Sequence, residues 1–104
     1  MKIAVIPNLD KRDADTYTRG ILAFLQENGA ETLMHEKHRG QYEHVTYCKN
    51  HAALAESCDL IVAVGGDGTI IHAAKHAVLQ NKPVLGINLG RLGFLATLEM
   101  GELE

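Results

Sequence analysis

Tryptophan is absent from the chain, aromatic residues make up 5% of it, and proline occurs twice. With so few rings there is no set of stacking platforms of the kind that holds single-stranded nucleic acid. Two cysteines, Cys48 and Cys58, are too few for a disulfide framework and too far apart for a paired-cysteine zinc or redox motif, so both are read as free thiols. Blocks of like charge are also missing, and the formal net charge of -3 leaves no basic footprint for nucleic acid or anionic lipid. Long apolar runs are missing too. The opening "MKIAVIPN" carries a short apolar stretch (Ile3 to Pro7) that falls below a signal-peptide core, and no later run approaches a membrane span. The expected protein is cytoplasmic, with neither nucleic acid nor membrane as a partner.

What is present is ordinary globular composition. The 104 residues are 46% hydrophobic and 22% charged, which suffices for one small domain with a modest core. "KIAVIP" (Lys2 to Pro7) reads as a buried parallel strand ended by Pro7 and Asn8. From about Asp13 to Asn28 the apolar positions Ala14, Tyr17, Ile21, Phe24 and Leu25 recur at helical steps, with Asp13 as N-cap and Gly29 as the stop. Ala30 to Glu36 alternates loosely as a second, more exposed strand. The polar stretch from Lys37 to Asn50 carries one short strand at His44 to Cys48. "HAALAES" is a brief helix behind Asn50 as N-cap, and "DLIVAVGG" is the most buried strand of the chain. A helix from Thr69 to about Leu79 presents Ile70, Ala73, Ala74 and Ala77, is closed by Lys82 and Pro83, and is followed by the strand "VLGIN". Such alternation predicts an α/β fold with an open, mostly parallel sheet and flanking helices. The closing "LGFLATLEMGELE" begins a further element, so the chain is expected to be the first part of something longer.

In a sheet of this kind ligands bind beyond the carboxyl ends of the strands. Three segments leave strands in that direction: Pro7 and Asn8, "GGDGT" at Gly65 to Thr69, and "NLGRLGF" at Asn88 to Phe94. Gly65, Gly66 and Gly68 allow positive φ and the close approach of backbone N–H groups to a ligand. Thr69 caps the following helix, whose N-terminus suits phosphate. The generic phosphate signatures fail, because the third glycine of the dinucleotide fingerprint is missing and no P-loop lysine follows. Asp67 instead sits inside an anion-binding loop. It either holds a divalent ion that bridges phosphate oxygens or accepts the proton of a hydroxyl attacking a phosphoryl group. A plain Asp-Gly turn is the competing reading.

In the second segment Gly86, Gly90 and Gly93 surround Asn88, which donates or accepts, and Arg91, which pairs with phosphate. Phe94 supplies either an apolar face for a base or a core side chain. His72 and His76, four apart on one helix, have metal-binding spacing, but with no third ligand nearby they are read as a surface pair, and no metal ligand is assigned. His72 lies one turn beyond Asp67, within reach of a ribose or phosphate. His35, His38, His44 and His51 share no spacing and are read as solvated.

"GGDGT" followed about twenty positions later by "LGINLGRLGFLA" resembles the NAD kinase family, which phosphorylates the adenosine ribose 2'-hydroxyl of NAD to make NADP. The short motif is shared with 6-phosphofructokinases and with diacylglycerol or sphingosine kinases of similar fold, and the second segment narrows the choice. The resemblance implies Asp67 as proton acceptor, with Gly65, Gly66, Gly68, Thr69 and His72 also at the nucleotide. It further implies Asn88, Gly90, Arg91 and Gly93 as a wall near the phosphates, and Phe94 beside the adenine. It implies ATP with Mg²⁺ or another divalent ion, NAD as substrate, and a homo-oligomer in the full-length protein. The family's Asn-Glu or Asn-Asp motif and its β-rich carboxy-terminal domain do not occur by residue 104, so this amino-terminal domain is expected to be inactive alone. The alternatives are a nucleotide-binding or folding module without turnover, and a lipid or sugar kinase domain that shares the motif.

Overall fold

The computed structural model describes residues 1–89, and the strand at Phe94–Leu98 through its backbone. Six strands form one sheet: β1 (Lys2–Pro7), β2 (Glu31–His35), β3 (Val45–Cys48), β4 (Leu60–Gly65), β5 (Val84–Asn88) and β6 (Phe94–Leu98). Their spatial order is β3-β2-β1-β4-β5-β6. The first five are parallel, and β6 runs antiparallel against β5 with Phe94 opposite Asn88. The expected α/β architecture and mostly parallel sheet are therefore present.

Three helices cover the sheet: α1 (Ala14–Glu27), α2 (His51–Ser57) and α3 (Asp67–Leu79). Strand pleating sends alternate residues to opposite faces. Ile3 and Val5 of β1 join Val62 and Val64 of β4 in a core with Leu22 of α1 and Met34. Ala4, Ile6, Ile61 and Ala63 point the other way, onto Leu54 of α2 and Ala73 and Ala77 of α3. Burial on both faces is why β1 and β4 read as unbroken apolar runs.

Several local expectations change. Helix α1 buries Ala14, Thr18 and Leu22, while Tyr17 and Phe24 are 47% and 65% exposed. Thr18 enters the core because its hydroxyl donates to the Ala14 carbonyl at 2.7 Å, which satisfies its polar atom internally. Asp13 precedes the helix in a left-handed conformation without a side-chain capping bond, so it does not serve as the cap its position implies. Asn50 does cap α2, with its Oδ1 accepting from Ala53 N–H at 2.8 Å. Strand β2 is more buried than its loose alternation implies, since it lies between β1 and β3 with Thr32, Leu33 and Met34 enclosed. Among the described residues, no helix is long and apolar enough to cross a membrane. Cys48 and Cys58 are free thiols.

Candidate functional site

Strand order reverses between β1 and β4: the chain leaves β1 toward β2 on one side and leaves β4 toward β5 on the other. A crevice beyond the carboxyl ends of adjacent strands follows from this topology. Asn8 N–H donates to the Val64 carbonyl at 2.8 Å and ties the two strand ends together. A cleft of about 360 Å³ opens there, and Pro7, Asn8, Lys37, Gly68, Thr69 and His72 are among its lining residues. Two of the three segments expected at the site thus share one cavity wall.

The "GGDGT" loop is built differently from its sequence reading. Helix α3 starts at Asp67, with Gly66 in the N-cap position in extended backbone and no side-chain cap. Thr69 is consequently not the cap; it lies within the first turn. The turn closes with Ile70 N–H on the Gly66 carbonyl at 3.2 Å. A helix offers its own first N–H groups no acceptor, so the donors of Gly68 and Thr69 point out of the helix end.

None of Gly65, Gly66 and Gly68 adopts positive φ, contrary to expectation. What two of them supply is space. A Cβ on Gly65 would stand 2.7 Å from Thr69 Oγ1 and 3.1 Å from Asn8 Cβ, and one on Gly66 would stand 3.0 Å from Lys11 Cε. Gly68 faces open space, with nothing within 4 Å of such a carbon.

Among the described residues, the third segment meets the loop where Asn88 reaches Asp67. Gly65 and Asn88 are register partners in the β4–β5 ladder, which brings the end of β5 level with the loop. Asn88, 6% exposed, donates from Nδ2 to Asp67 Oδ1 at 2.5 Å. A buried amide so placed fixes where the carboxylate stands, and hydrogen bonds to charged acceptors are the stronger kind. Gly90, Arg91 and Gly93 lie outside the described residues, and Phe94 is described only as the first residue of β6.

Three residues that sequence reasoning passed over stand at this site. Lys11, in the loop after β1, lays its side chain against Gly66, with Nζ 3.3 Å from the carbon a side chain would add. It supplies a cation beside the loop that no neighbouring lysine in sequence provides. Lys37 and His51 line the same cleft. Their signal was weak because each lies in or next to the polar stretch that resisted assignment.

Of the four histidines read as solvated, His44 is exposed, whereas His35, His38 and His51 are partly or fully buried. His38 is buried, and burial pushes its pKa down, partly opposed by the bond between its Nδ1 and Gln41 Oε1. His51 packs against His72 and His76, with ring centroids 4.9 and 5.6 Å away, and against His35 at 4.8 Å. Desolvation, reinforced by the neighbouring rings, pushes the His51 pKa down to about 4.

Comparison with known proteins bears on these residues as a set. Residues 3–104 match the family described as ATP-NAD kinase N-terminal domain. A NAD kinase of Ruminiclostridium cellulolyticum is 33% identical over 103 residues, covering 99% of this chain and 36% of its own length. A NAD kinase of Symbiobacterium thermophilum is 36% identical over 101 residues, covering 97% of this chain and 36% of its own. The chain therefore spans about a third of the length of the curated relatives it matches. A crystal structure of yeast NADH kinase complexed with NADH superposes with a TM-score of 0.74 at 22% identity, over 99% of this chain and 33% of that one. That likeness establishes a common fold.

Proposed function

The chain belongs to the NAD kinase family through its ATP-NAD kinase N-terminal domain, and from this premise we propose that the complete protein transfers the γ-phosphoryl group of ATP to the adenosine ribose 2'-hydroxyl of NAD, giving NADP and ADP. The observation that carries the reading is the Asp67 carboxylate, held by Asn88 at the N-terminus of α3 and beside a cleft lined by Lys37, Gly68 and Thr69. A carboxylate among phosphate-binding groups has a role in phosphoryl transfer: it accepts the proton of the attacking hydroxyl. The family match also removes the ground for a lipid or sugar kinase.

In this reading the backbone donors of Gly68 and Thr69 and the cations of Lys11 and Lys37 hold phosphate oxygens. Asn88 keeps Asp67 oriented toward the ribose. As the 2'-oxygen attacks phosphorus, its proton passes to Asp67 and the bond to the ADP oxygen breaks. Positioning and charge stabilisation supply most of the acceleration in such reactions. The hard oxygen donor of Asp67 also fits a divalent ion such as Mg²⁺, which neutralises phosphate charge when bound with ATP. His72, Gly90, Arg91, Gly93 and Phe94 belong to the same proposed nucleotide surface. A cytoplasmic location and a homo-oligomeric complete protein belong to the proposal as well.

Asp67→Asn in the complete protein tests the assignment, because it preserves shape and removes the base. NADP formation from NAD and ATP should fall by at least two orders of magnitude, at the lower end of what general base catalysis contributes (roughly 10²–10⁴-fold); unchanged turnover would overturn the role.

The 104-residue chain is itself proposed to bind nucleotide without turnover, supported by its covering 36% of the length of the Ruminiclostridium cellulolyticum relative. Calorimetric titration with NAD and ATP beside a coupled NADP assay checks this. Heat without product is expected, and product from the isolated chain would refute it.

A further inference from the structure

The nitrogen atoms of His51, His72 and His76 that can bind a metal all lie within 4.8 Å of one another. The sequence presents only the pair at i and i+4 on α3; the fold adds the third imidazole from the first residue of α2. A tetrahedral zinc site with Zn–N near 2.0–2.1 Å has nitrogens about 3.3 Å apart. The three imidazoles are exposed or half-buried, so the remaining approach is asked of side-chain rotation about χ1 and χ2. We propose that His51, His72 and His76 form a binding site for a borderline divalent transition metal ion, zinc above all, with a fourth coordination position open to water or an anion.

The chemistry of the donor set selects the ion. Three imidazoles with no carboxylate or thiolate in the group favour Zn²⁺, Co²⁺, Ni²⁺ or Cu²⁺ and disfavour Mg²⁺, which prefers oxygen. The site is thus separate in kind from the Asp67 oxygen chemistry, and it does not rest on the kinase reading. Coordination needs the neutral imidazole.

His35 stands next to the group but outside it. Its Nδ1 accepts the Lys37 N–H at 3.0 Å, which commits that nitrogen, while its ring packs against His51. Three imidazoles and an open position resemble a catalytic more than a structural zinc arrangement. Since His51 and His72 also line the cleft, an anion on the fourth position would occupy part of the same cavity.

The test is titration of the untagged, metal-free 104-residue chain with Zn²⁺ by calorimetry and with Co²⁺ by visible absorption. One equivalent of Zn²⁺ should bind, and Co²⁺ should give the intense d–d bands of a tetrahedral or five-coordinate nitrogen site. His76→Ala and His51→Ala should each weaken Zn²⁺ at least as much as the roughly 10–100-fold that loss of an outer-shell partner typically costs. Circular dichroism confirms that each variant is folded; His72→Ala, at an exposed position, repeats the test where packing is least disturbed. His35→Ala and Cys48→Ser should bind as the unaltered chain does. Equal zinc affinity in the unaltered chain and all three triad variants would overturn the site, as would thiolate charge-transfer absorption in the Co²⁺ spectrum.

Discussion

Asn88 Nδ2 donates to Asp67 Oδ1 at 2.5 Å across the gap between the end of β5 and the start of α3. Asp67 opens α3 and Asn88 closes β5, and the parallel register that pairs Gly65 with Asn88 makes the contact possible. Asn88→Ala should therefore act on catalysis through Asp67. A hydrogen bond to a charged group contributes about 1.5–3 kcal/mol, so kcat of the complete protein should fall roughly 10–100-fold while KM for ATP changes little. An unaltered kcat would show that Asp67 keeps its place without Asn88.

Gly65 and Gly68 should respond oppositely to alanine. At Gly65 the added carbon would stand 2.7 and 2.9 Å from Thr69 side-chain atoms and 3.1 Å from Asn8, and overpacking of this kind costs about 1–3 kcal/mol. At Gly68 the space is open and the backbone helical, so alanine should stabilise by about 0.4–1 kcal/mol. Urea denaturation of both variants reads the difference. Equal destabilisation would mean that the loop, and not the space beside it, dictates glycine.

How much of this was legible depended on whether the cause was local. β1 and β4 could be read because burial on both faces leaves an unbroken apolar run. The stripe of α1 misled because Tyr17 and Phe24 have helical spacing yet remain exposed, while Thr18, polar by any scale, is buried through its bond to Ala14. Asp67 and Asn88 were both recognisable as candidate site residues, but their contact depends on strand register. Only the His72 and His76 pair of the histidine group could be read, because the third member comes from α2, which starts at His51 while α3 starts at Asp67. Lys11 escaped notice for the same reason: only the adjacency of β1 and β4 brings it to Gly66.

Lys11 should matter for the nucleotide more than for the fold. Its side chain is on an exposed loop and reaches Gly66, where a phosphate would meet both its ammonium and the helix N-terminus. Lys11→Met in the complete protein should raise KM for ATP roughly tenfold or more, the lower range for a charged hydrogen bond, with little change in thermal stability. The effect should shrink as salt rises, because an exposed charge is screened. An unchanged KM at low salt would remove Lys11 from the site.

Tyr42 offers a test of packing that is independent of function. Its hydroxyl donates to Asp15 Oδ1 at 2.8 Å, and Arg19 lies over its ring with Cζ 4.9 Å from the centroid. Burial, then this hydrogen bond to a carboxylate, pushes the phenol pKa up to about 12. The folded state thus holds a proton that the unfolded chain releases near pH 10. The contribution to stability is fully present below about pH 10 and is lost as pH rises through the folded value. Melting temperature should fall more steeply between about pH 10 and 12 in the unaltered chain than in Tyr42→Phe, which has no phenol to titrate. The variant should also lack the tyrosinate absorbance step near pH 12. Parallel melting curves in the two proteins across that window would show that Tyr42 ionises as freely in the folded chain as in the unfolded one.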